Sequence, residues 1–299
     1  MLLFSGNSNQ PLAKKVAEIL GVTLGDLEIT TFPDNENRVR VIENVVEQDV
    51  VLVQSTGITP NLYYVELFLM IDSLKRSGAS KITLVIPYLG YQRQDHIFRD
   101  GEAVSLEVII KILESLGVDR VVSFDLHSIR IPDLFKVAVE HLSALPLFAK
   151  EIKKMDLEDA VLVSPDMGGI ARIKRLSELL DNMPFVSIVK DRDLVTGNIA
   201  STTINGPVKK TAIIVDDVIS SGGTIVEAAK LLEKNGVEEI YVMATHAILA
   251  GNAAENLQNS NIVKVVVTDS IMLPQKRTFA KLEVVSIASE IAEQLNNGS

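Results

Sequence analysis

IIVDDVISSGGTIVEAAKLL, Ile213 to Leu232, reads as a buried strand, two carboxylates, a Ser-Ser-Gly-Gly-Thr turn and a helix. The strand begins at Thr211 and is apolar on both faces, and Ile225, Ala228, Leu231 and Leu232 recur at helical spacing. A chain that turns from the carboxyl end of a strand into a helix aims free backbone N–H groups outward, where the helix dipole favours an anion. Gly222 and Gly223 let that backbone approach a phosphate closely, and the hydroxyls of Ser221 and Thr224 add donors. Asp216 and Asp217 precede the turn, suited to sugar hydroxyls or a divalent cation. Phosphate on one side and a diol on the other describe a ribose 5-phosphate. A helix cap with solvated acids is the plainer account of the same residues.

The chain has 299 residues, enough for two domains, and is 47% hydrophobic and 23% charged, a composition that supports a sizeable core. A net charge of −10 and a pI near 5.0 argue against a general nucleic-acid or membrane surface. The absence of cysteine excludes disulfides and thiolate metal sites and fits a reducing compartment. No run of about 18 apolar residues suggests a membrane span, and MLLFSGNSNQPLAKK lacks the basic and apolar regions of a signal peptide. A cytoplasmic setting is expected.

Outward from the central stretch, an α/β pattern fills the chain. Leu2 to Phe4 is a short strand, followed by a helix opening near Pro11, with Leu12, Val16, Ile19 and Leu20 on one face and Gly21 closing it. Thr31 to Arg38 is a polar turn before the alternating Val39 and Val41, the pattern of a hairpin. Buried strands follow at 50–54 and 82–86, with a helix over 61–76 between them. PYLGYQRQD, Pro87 to Asp95, then lies at a strand's carboxyl end, where ligands gather in open parallel sheets. Its Arg93, beside Gln94 and Asp95, offers a planar cationic fork to a polyphosphate, or an internal pair to Asp95. A helix over 107–116 and a strand over 120–125 lead into Leu126-His127-Ser128.

The chain crosses to its second half between Phe135 and Leu147, and that half repeats the architecture without repeating the sequence. A helix from Pro146 and a strand at 160–163 lead to SPDMGG, Ser164 to Gly169, with Arg172 one turn into the next helix. The strand 185–189 ends in Lys190-Asp191-Arg192 and opens a polar stretch, 193–205, with the composition of a mobile loop. Strands at 239–244 and 263–268 and an amphipathic helix at 287–295 complete the chain. Two similar α/β domains are expected, 1–140 and 141–299, each a mostly parallel sheet flanked by helices.

The SSGGT loop, PYLGYQRQD, Asp125-Leu126-His127, SPDMGG and Lys190-x-Arg192 together resemble the ribose-phosphate pyrophosphokinase family, built on the type I phosphoribosyltransferase fold. The likeness covers nearly the whole chain. It implies transfer of the pyrophosphoryl group of MgATP to the 1-hydroxyl of ribose 5-phosphate, giving phosphoribosyl pyrophosphate and AMP. Lys190 and Arg192 would then be catalytic. Arg93, Gln94, Asp95, His127 and Arg172 would contact ATP, with Phe32, Asp34 and Glu36 reaching the adenine of a neighbouring subunit. His127 and Asp166 would stand at Mg2+, and Asp216, Asp217, Ser220, Ser221, Gly222, Gly223 and Thr224 at ribose 5-phosphate. A homo-oligomer, dimer or higher, sharing its ATP sites is implied, with no nucleic acid and no membrane as partners.

Two departures stand out against the family pattern. Ser220 occupies a place often held by aspartate, and Arg130, Pro132 and Asp133 stand where glutamines and glycine are common. A phosphoribosyltransferase consuming phosphoribosyl pyrophosphate would use the same central loop, and a non-catalytic regulatory homologue would keep the fold.

Overall fold

A computed structural model of the chain describes residues 1–192 and 199–297, which divide by contact into two α/β units. The first unit takes in Met1–Leu142, the short span Asp269–Met272 and the chain from Ser286 onward. The second takes in Ser143–Thr268 and Leu273–Val285.

The first unit opens with β1 (Leu2–Ser5) and α1 (Gln10–Leu20). Asn9 caps this helix, Pro11 pre-sets its first turn, and Gly21 ends it in a left-handed conformation at φ 68°. A hairpin follows, β2 (Leu27–Thr31) and β3 (Asn37–Val41), antiparallel and packed on a later helix. Then come β4 (Asp49–Val53), α2 (Pro60–Arg76), β5 (Lys81–Ile86), α3 (Ser105–Ser115), β6 (Arg120–Phe124) and β7 (Ala138–Leu142). The sheet order is β1-β4-β5-β6-β7 with every pairing parallel. Leu67, Met70, Ile71 and Leu74 of α2 and Leu106, Ile110 and Leu113 of α3 close over Leu52, Leu84 and Ile86 to form its core.

The second unit runs α4 (Leu145–Met155), β8 (Ala160–Ser164), α5 (Ile170–Leu179), β9 (Phe185–Arg192) and β10 (Ile199–Asn205). It continues with β11 (Thr211–Ile219), α6 (Gly223–Lys234), β12 (Glu239–Ala247), α7 (Ala253–Gln258), β13 (Lys264–Thr268) and β14 (Leu282–Val285). The sheet order is β10-β9-β8-β11-β12-β13-β14, parallel throughout except for β10, which runs antiparallel to β9. β11 lies in the middle and is covered on both faces. Ala212 and Ile214 join the core under α6, while Ile213 and Val215 join the core under α4 and α5. This period of two is why the run reads as continuously apolar.

Two features depart from the sequence expectation. Ile199–Asn205, within the polar stretch expected to be a loop, is strand β10; it sits at the sheet edge, where one side of the ladder has no neighbour and polar residues are tolerated. The closing helix α8 (Ala288–Asn297), expected in the second half, packs on α1 of the first unit. Asp269 fastens that return: it accepts from Lys15 Nζ at 2.9 Å, Ser286 Oγ at 2.6 Å and the Ile287 amide at 2.9 Å. Its carbonyl takes Asn9 Nδ2 at 2.7 Å. The ties to Asn9 and Lys15 join residues more than 250 apart in sequence and leave no local pattern.

Candidate functional site

In the second unit β8 and β11 are parallel neighbours, so the loops leaving their carboxyl ends lie side by side, and the end of β9 lies next to β8. The β11 loop is the Ser220-Ser221-Gly222 turn into α6. Gly222 is the N-cap of α6 at φ 76°, a left-handed backbone that glycine takes without steric cost. α6 has no side-chain cap, so the amides of its first turn lack an intrahelical acceptor and form a ready anion site. On the carbonyl side, Ser220 O accepts the Ala250 amide at 2.8 Å, and Ile219 O accepts those of Ile248 and Leu249 at 3.0 and 3.1 Å. A Cβ built on Gly223 meets only Ser221 Oγ, at 3.8 Å, and the Ser221 and Thr224 side chains are exposed beside it. The turn is anchored from behind and open in front.

Asp216 and Asp217 belong to β11 itself, which continues to Ile219. Both meet Arg172 of α5: Nη1 lies 3.1 Å from Asp216 Oδ1 and Nη2 lies 3.0 Å from Asp217 Oδ1. Side-chain exposure is 16% for Arg172, 16% for Asp216 and 5% for Asp217, so this is a largely buried triad. Asp216 Oδ1 also accepts the Asp217 amide at 2.9 Å. Burial raises the Asp216 carboxyl to about 8, helped by the charge and hydrogen bond of Asp217; Arg172 pulls the other way without cancelling them.

On β8, Ser164 Oγ donates to the Asp166 carbonyl at 2.7 Å, and the Gly169 amide donates to Asp166 Oδ1 at 3.1 Å. A Cβ on Gly169 would come within 2.4 Å of Ser164 Oγ, so glycine is required for the loop to close this tightly. Asp166 itself is exposed. The backbone of Lys190 and Arg192 ends β9, paired with Thr202 and Ile199; their side chains lie outside the described part of the structure. Arg172, expected from the resemblance to contact ATP, pairs here with the two acids that precede the β11 turn, a contact that depends on the β8–β11 adjacency and has no local signature.

In the first unit β5 and β6 are parallel neighbours, which sets PYLGYQRQD beside Asp125-Leu126-His127. Gln92 Oε1 accepts the His127 amide at 3.0 Å, and His141 Nε2 accepts that of Leu126 at 2.9 Å. Arg93 and Gln94 are exposed, with Gln94 Oε1 held by Ser105 Oγ at 2.9 Å. Asp95 Oδ1 lies 2.6 Å from His96 Nδ1. His127 is exposed and the residues after it form a 3₁₀ turn, Ile131–Leu134, with Arg130 at its start. Phe32, Asp34 and Glu36 occupy the β2–β3 turn: Phe32 is 42% exposed with the Arg38 guanidinium 5.8 Å from its ring centre, and Asp34 Oδ1 accepts the Glu36 amide at 3.2 Å.

Two buried polar residues escaped the sequence reading. Glu66 accepts from the Asn7 amide, Asn7 Nδ2 and Gln54 Nε2 at 2.8, 2.9 and 2.8 Å, and so shapes the loop after β1. Its signal was a carboxylate on the apolar face of α2, next to Leu67. Gln92 is the other. Among the described residues no group of three or more His, Asp or Glu side chains could hold a metal ion unaided, and no helix is long and apolar enough to cross a membrane.

Comparison with known proteins bears on the whole chain. Residues 1–117 match a family model described as the N-terminal domain of ribose phosphate pyrophosphokinase, and 184–297 match one described as a phosphoribosyl synthetase-associated domain. The ribose-phosphate pyrophosphokinase of Bacillus caldolyticus is 38% identical over 293 residues, covering 98% of this chain and 93% of that protein. That of Bacillus subtilis (strain 168) is 39% identical over 295 residues, 98% of this chain and 92% of its own. The crystal structure of phosphoribosylpyrophosphate synthetase from Mycobacterium smegmatis superposes with a TM-score of 0.94 at 32% identity, covering 99% of this chain and 98% of that one.

The triad carries a pH signature. With its value raised in the folded chain from 3.8 to about 8, Asp216 contributes fully to stability below 3.8, and that contribution is lost as pH rises through about 8. Asp216→Asn cannot ionise and escapes the loss. Its melting temperature relative to the unsubstituted protein is therefore expected to climb across that interval and level off above it. A difference that stays flat over the same range contradicts the raised value.

Proposed function

From the ribose-phosphate pyrophosphokinase family, to which this chain belongs, we infer how its residues divide the work. The protein is an enzyme that transfers the pyrophosphoryl group of ATP to the 1-hydroxyl of ribose 5-phosphate, giving phosphoribosyl pyrophosphate and AMP. The observation that most supports a sugar-phosphate site in this chain is the uncapped, glycine-led start of α6 directly after two buried acids held by one guanidinium.

The 5-phosphate takes the amides at the start of α6, with Ser220, Ser221, Gly222, Gly223 and Thr224 around it. Asp216 and Asp217 accept hydrogen bonds from the ribose hydroxyls. The 1-hydroxyl oxygen then attacks the β-phosphorus of ATP in line: an oxygen–phosphorus bond forms, the bond from that phosphorus to the α,β-bridging oxygen breaks, AMP departs and the hydroxyl proton is released. Positioning and charge neutralisation supply most of such catalysis. Lys190 and Arg192, at the end of β9 next to β8, bring cations to the charge that develops.

ATP is assigned to Arg93, Gln94, Asp95 and His127 at the carboxyl ends of β5 and β6, and to Arg172 on α5. For Mg2+, His127 of the first unit and Asp166 of the second are each assigned as a ligand, with waters and phosphate oxygens supplying the rest. Its chemistry when bound is neutralisation of the polyphosphate. Phe32, Asp34 and Glu36 serve the adenine of a neighbouring subunit, so the working unit is a dimer or larger, placed in the cytoplasm. A phosphoribosyltransferase reading leaves residues 1–117, matched by the pyrophosphokinase N-terminal model, without a task.

AMP release and its response to substitution test these assignments. Protein given ATP, magnesium and ribose 5-phosphate should release AMP, and release should require the sugar; sugar-independent AMP or none at all removes the assignment. Within that assay Lys190→Ala and Arg192→Ala should each lower kcat by about 10²-fold, on the order of 3 kcal/mol, with little change in ribose 5-phosphate affinity. Losses of equal size in binding and turnover point instead to ground-state contacts.

Gly223→Val should raise KM for ribose 5-phosphate at least tenfold and spare KM for ATP. The added side chain finds open space in the fold, so stability should hold, whereas the approach of a phosphate to the backbone is blocked. An unchanged sugar KM moves the phosphate elsewhere.

For the shared site, Phe32→Ala should weaken ATP by roughly 1 kcal/mol through lost stacking. Mixing Phe32→Ala chains with Lys190→Ala chains, under conditions of proven subunit exchange, should restore part of the activity. Exchange without recovery rules the shared site out.

A further inference from the structure

Gln92 lies between the two loops assigned to ATP and is completely buried. Its Oε1 accepts the His127 amide at 3.0 Å, while its Nε2 has no hydrogen-bond partner among the described residues. The orientation of this side-chain amide is fixed by its partner: the His127 N–H is a donor, so the oxygen must face it and the orphaned end must be the NH2 group. A buried donor without an acceptor costs stability, and nearly all such groups in folded proteins are satisfied. An apolar side chain of similar size would remove that cost. Keeping glutamine here makes sense only if the single bond it does form has a use.

That bond joins two loops with demanding backbones. Tyr91, just before Gln92, is at φ 64°, and Asp125, two residues before His127, is at φ 29°, both in the left-handed region that side chains disfavour. The Gln92 amide is itself anchored to Leu89 O at 3.3 Å, and the Gln94 amide to Tyr91 O at 2.7 Å. Arg93 and Gln94 are therefore displayed from a turn whose inner residue grips the backbone of the neighbouring loop. The His127 side chain is exposed.

We propose that Gln92 is a positioning residue for the nucleotide: it locks the His127 backbone to the loop bearing Arg93 and Gln94, so that both loops present one pre-set surface to a purine triphosphate. The proposal rests on the assignment of these loops to ATP. Local strain held at a cost in stability is a usual companion of such pre-organisation.

The test compares the unsubstituted enzyme, Gln92→Leu and Gln92→Glu, with Gln92→Met replacing the leucine variant if that one does not fold. In Gln92→Leu the KM for ATP should rise roughly three- to tenfold, the loss of one hydrogen bond, with KM for ribose 5-phosphate unchanged and the melting temperature little changed, since the buried NH2 is removed while the His127 amide loses its acceptor. Gln92→Glu keeps an oxygen for the His127 amide and should restore most of the ATP affinity. Hydrogen exchange at that amide should quicken in Gln92→Leu and recover in Gln92→Glu. A lower melting temperature with both KM values raised together shows a merely structural glutamine and overturns the proposal, as does an unchanged KM for ATP. If the unsubstituted enzyme makes AMP but its KM for ATP is insensitive to Arg93→Ala and His127→Ala as well, the assignment of these loops to ATP falls first and Gln92 with it.

Discussion

Two consecutive acids in a mostly buried pocket lose hydration, which favours the protonated form of Asp216, and the Arg172 guanidinium holds one oxygen of each acid in place. A lysine would offer a point charge; the planar fork places one nitrogen on each acid. The same contact ties α5, which follows β8, to β11, and so fixes the SPDMGG loop relative to the sugar loop. It depends on the parallel register of those strands, Leu162 opposite Ile213 and Val163 opposite Ile214, which sets how far one turn of α5 can reach. Core register and site charge are thus one constraint: a slip of a residue along β8 would exchange the side chains facing its two cores and carry Arg172 away from both acids.

Most of the fold was legible because central parallel strands are apolar on both faces and their helices are not. Ala160–Ser164 and Thr211–Val215 needed no context, and Leu67, Met70, Ile71 and Leu74 announced the inward face of α2. The edges were harder. Ala138–Leu142 includes Glu140 and His141 and alternates only weakly in burial, so β7 passed as a crossing segment, and β10 passed as a loop. Of the candidate site, the glycine turns showed themselves through local chemistry, since φ 76° at Gly222 and the tight approach at Gly169 each restrict the residue to glycine. Arg172 with its acids, and Gln92 with the His127 amide, join residues 44 and 35 positions apart, and only the topology brings them together.

The departures from the family pattern fit this charge balance. Arg172 already has one terminal nitrogen on each acid, so a third carboxylate at position 220 would add negative charge beside a pair held by a single guanidinium, next to the turn meant for a phosphate. Serine there keeps hydrogen-bonding capacity, and its carbonyl anchors the loop through Ala250. After His127, Pro132 lies within a 3₁₀ turn that buries Ile131, with Ser128 Oγ accepting the Arg130 amide at 3.2 Å. Fixing φ by proline gives this short span order that a glycine-containing sequence would have to obtain from other contacts.

The two sets of loops differ in how much order a substrate must impose. On the sugar side the acids are already paired and the first amides of α6 already lack intrahelical acceptors, so a phosphate and a diol meet acceptors and donors that need little rearrangement. On the nucleotide side Arg93, Gln94, His96 and Arg99 are exposed on an irregular span, steadied by a few bonds such as those of the Phe98 and Arg99 amides to Glu102 at 3.0 Å. A triphosphate with its base can make many contacts and offset that ordering cost, whereas a pentose phosphate has few contacts to give. On the proposed assignment, pre-organisation is concentrated at the loops given to the smaller substrate, and the buried Gln92 bond carries a limited share of it into the loops given to the larger one.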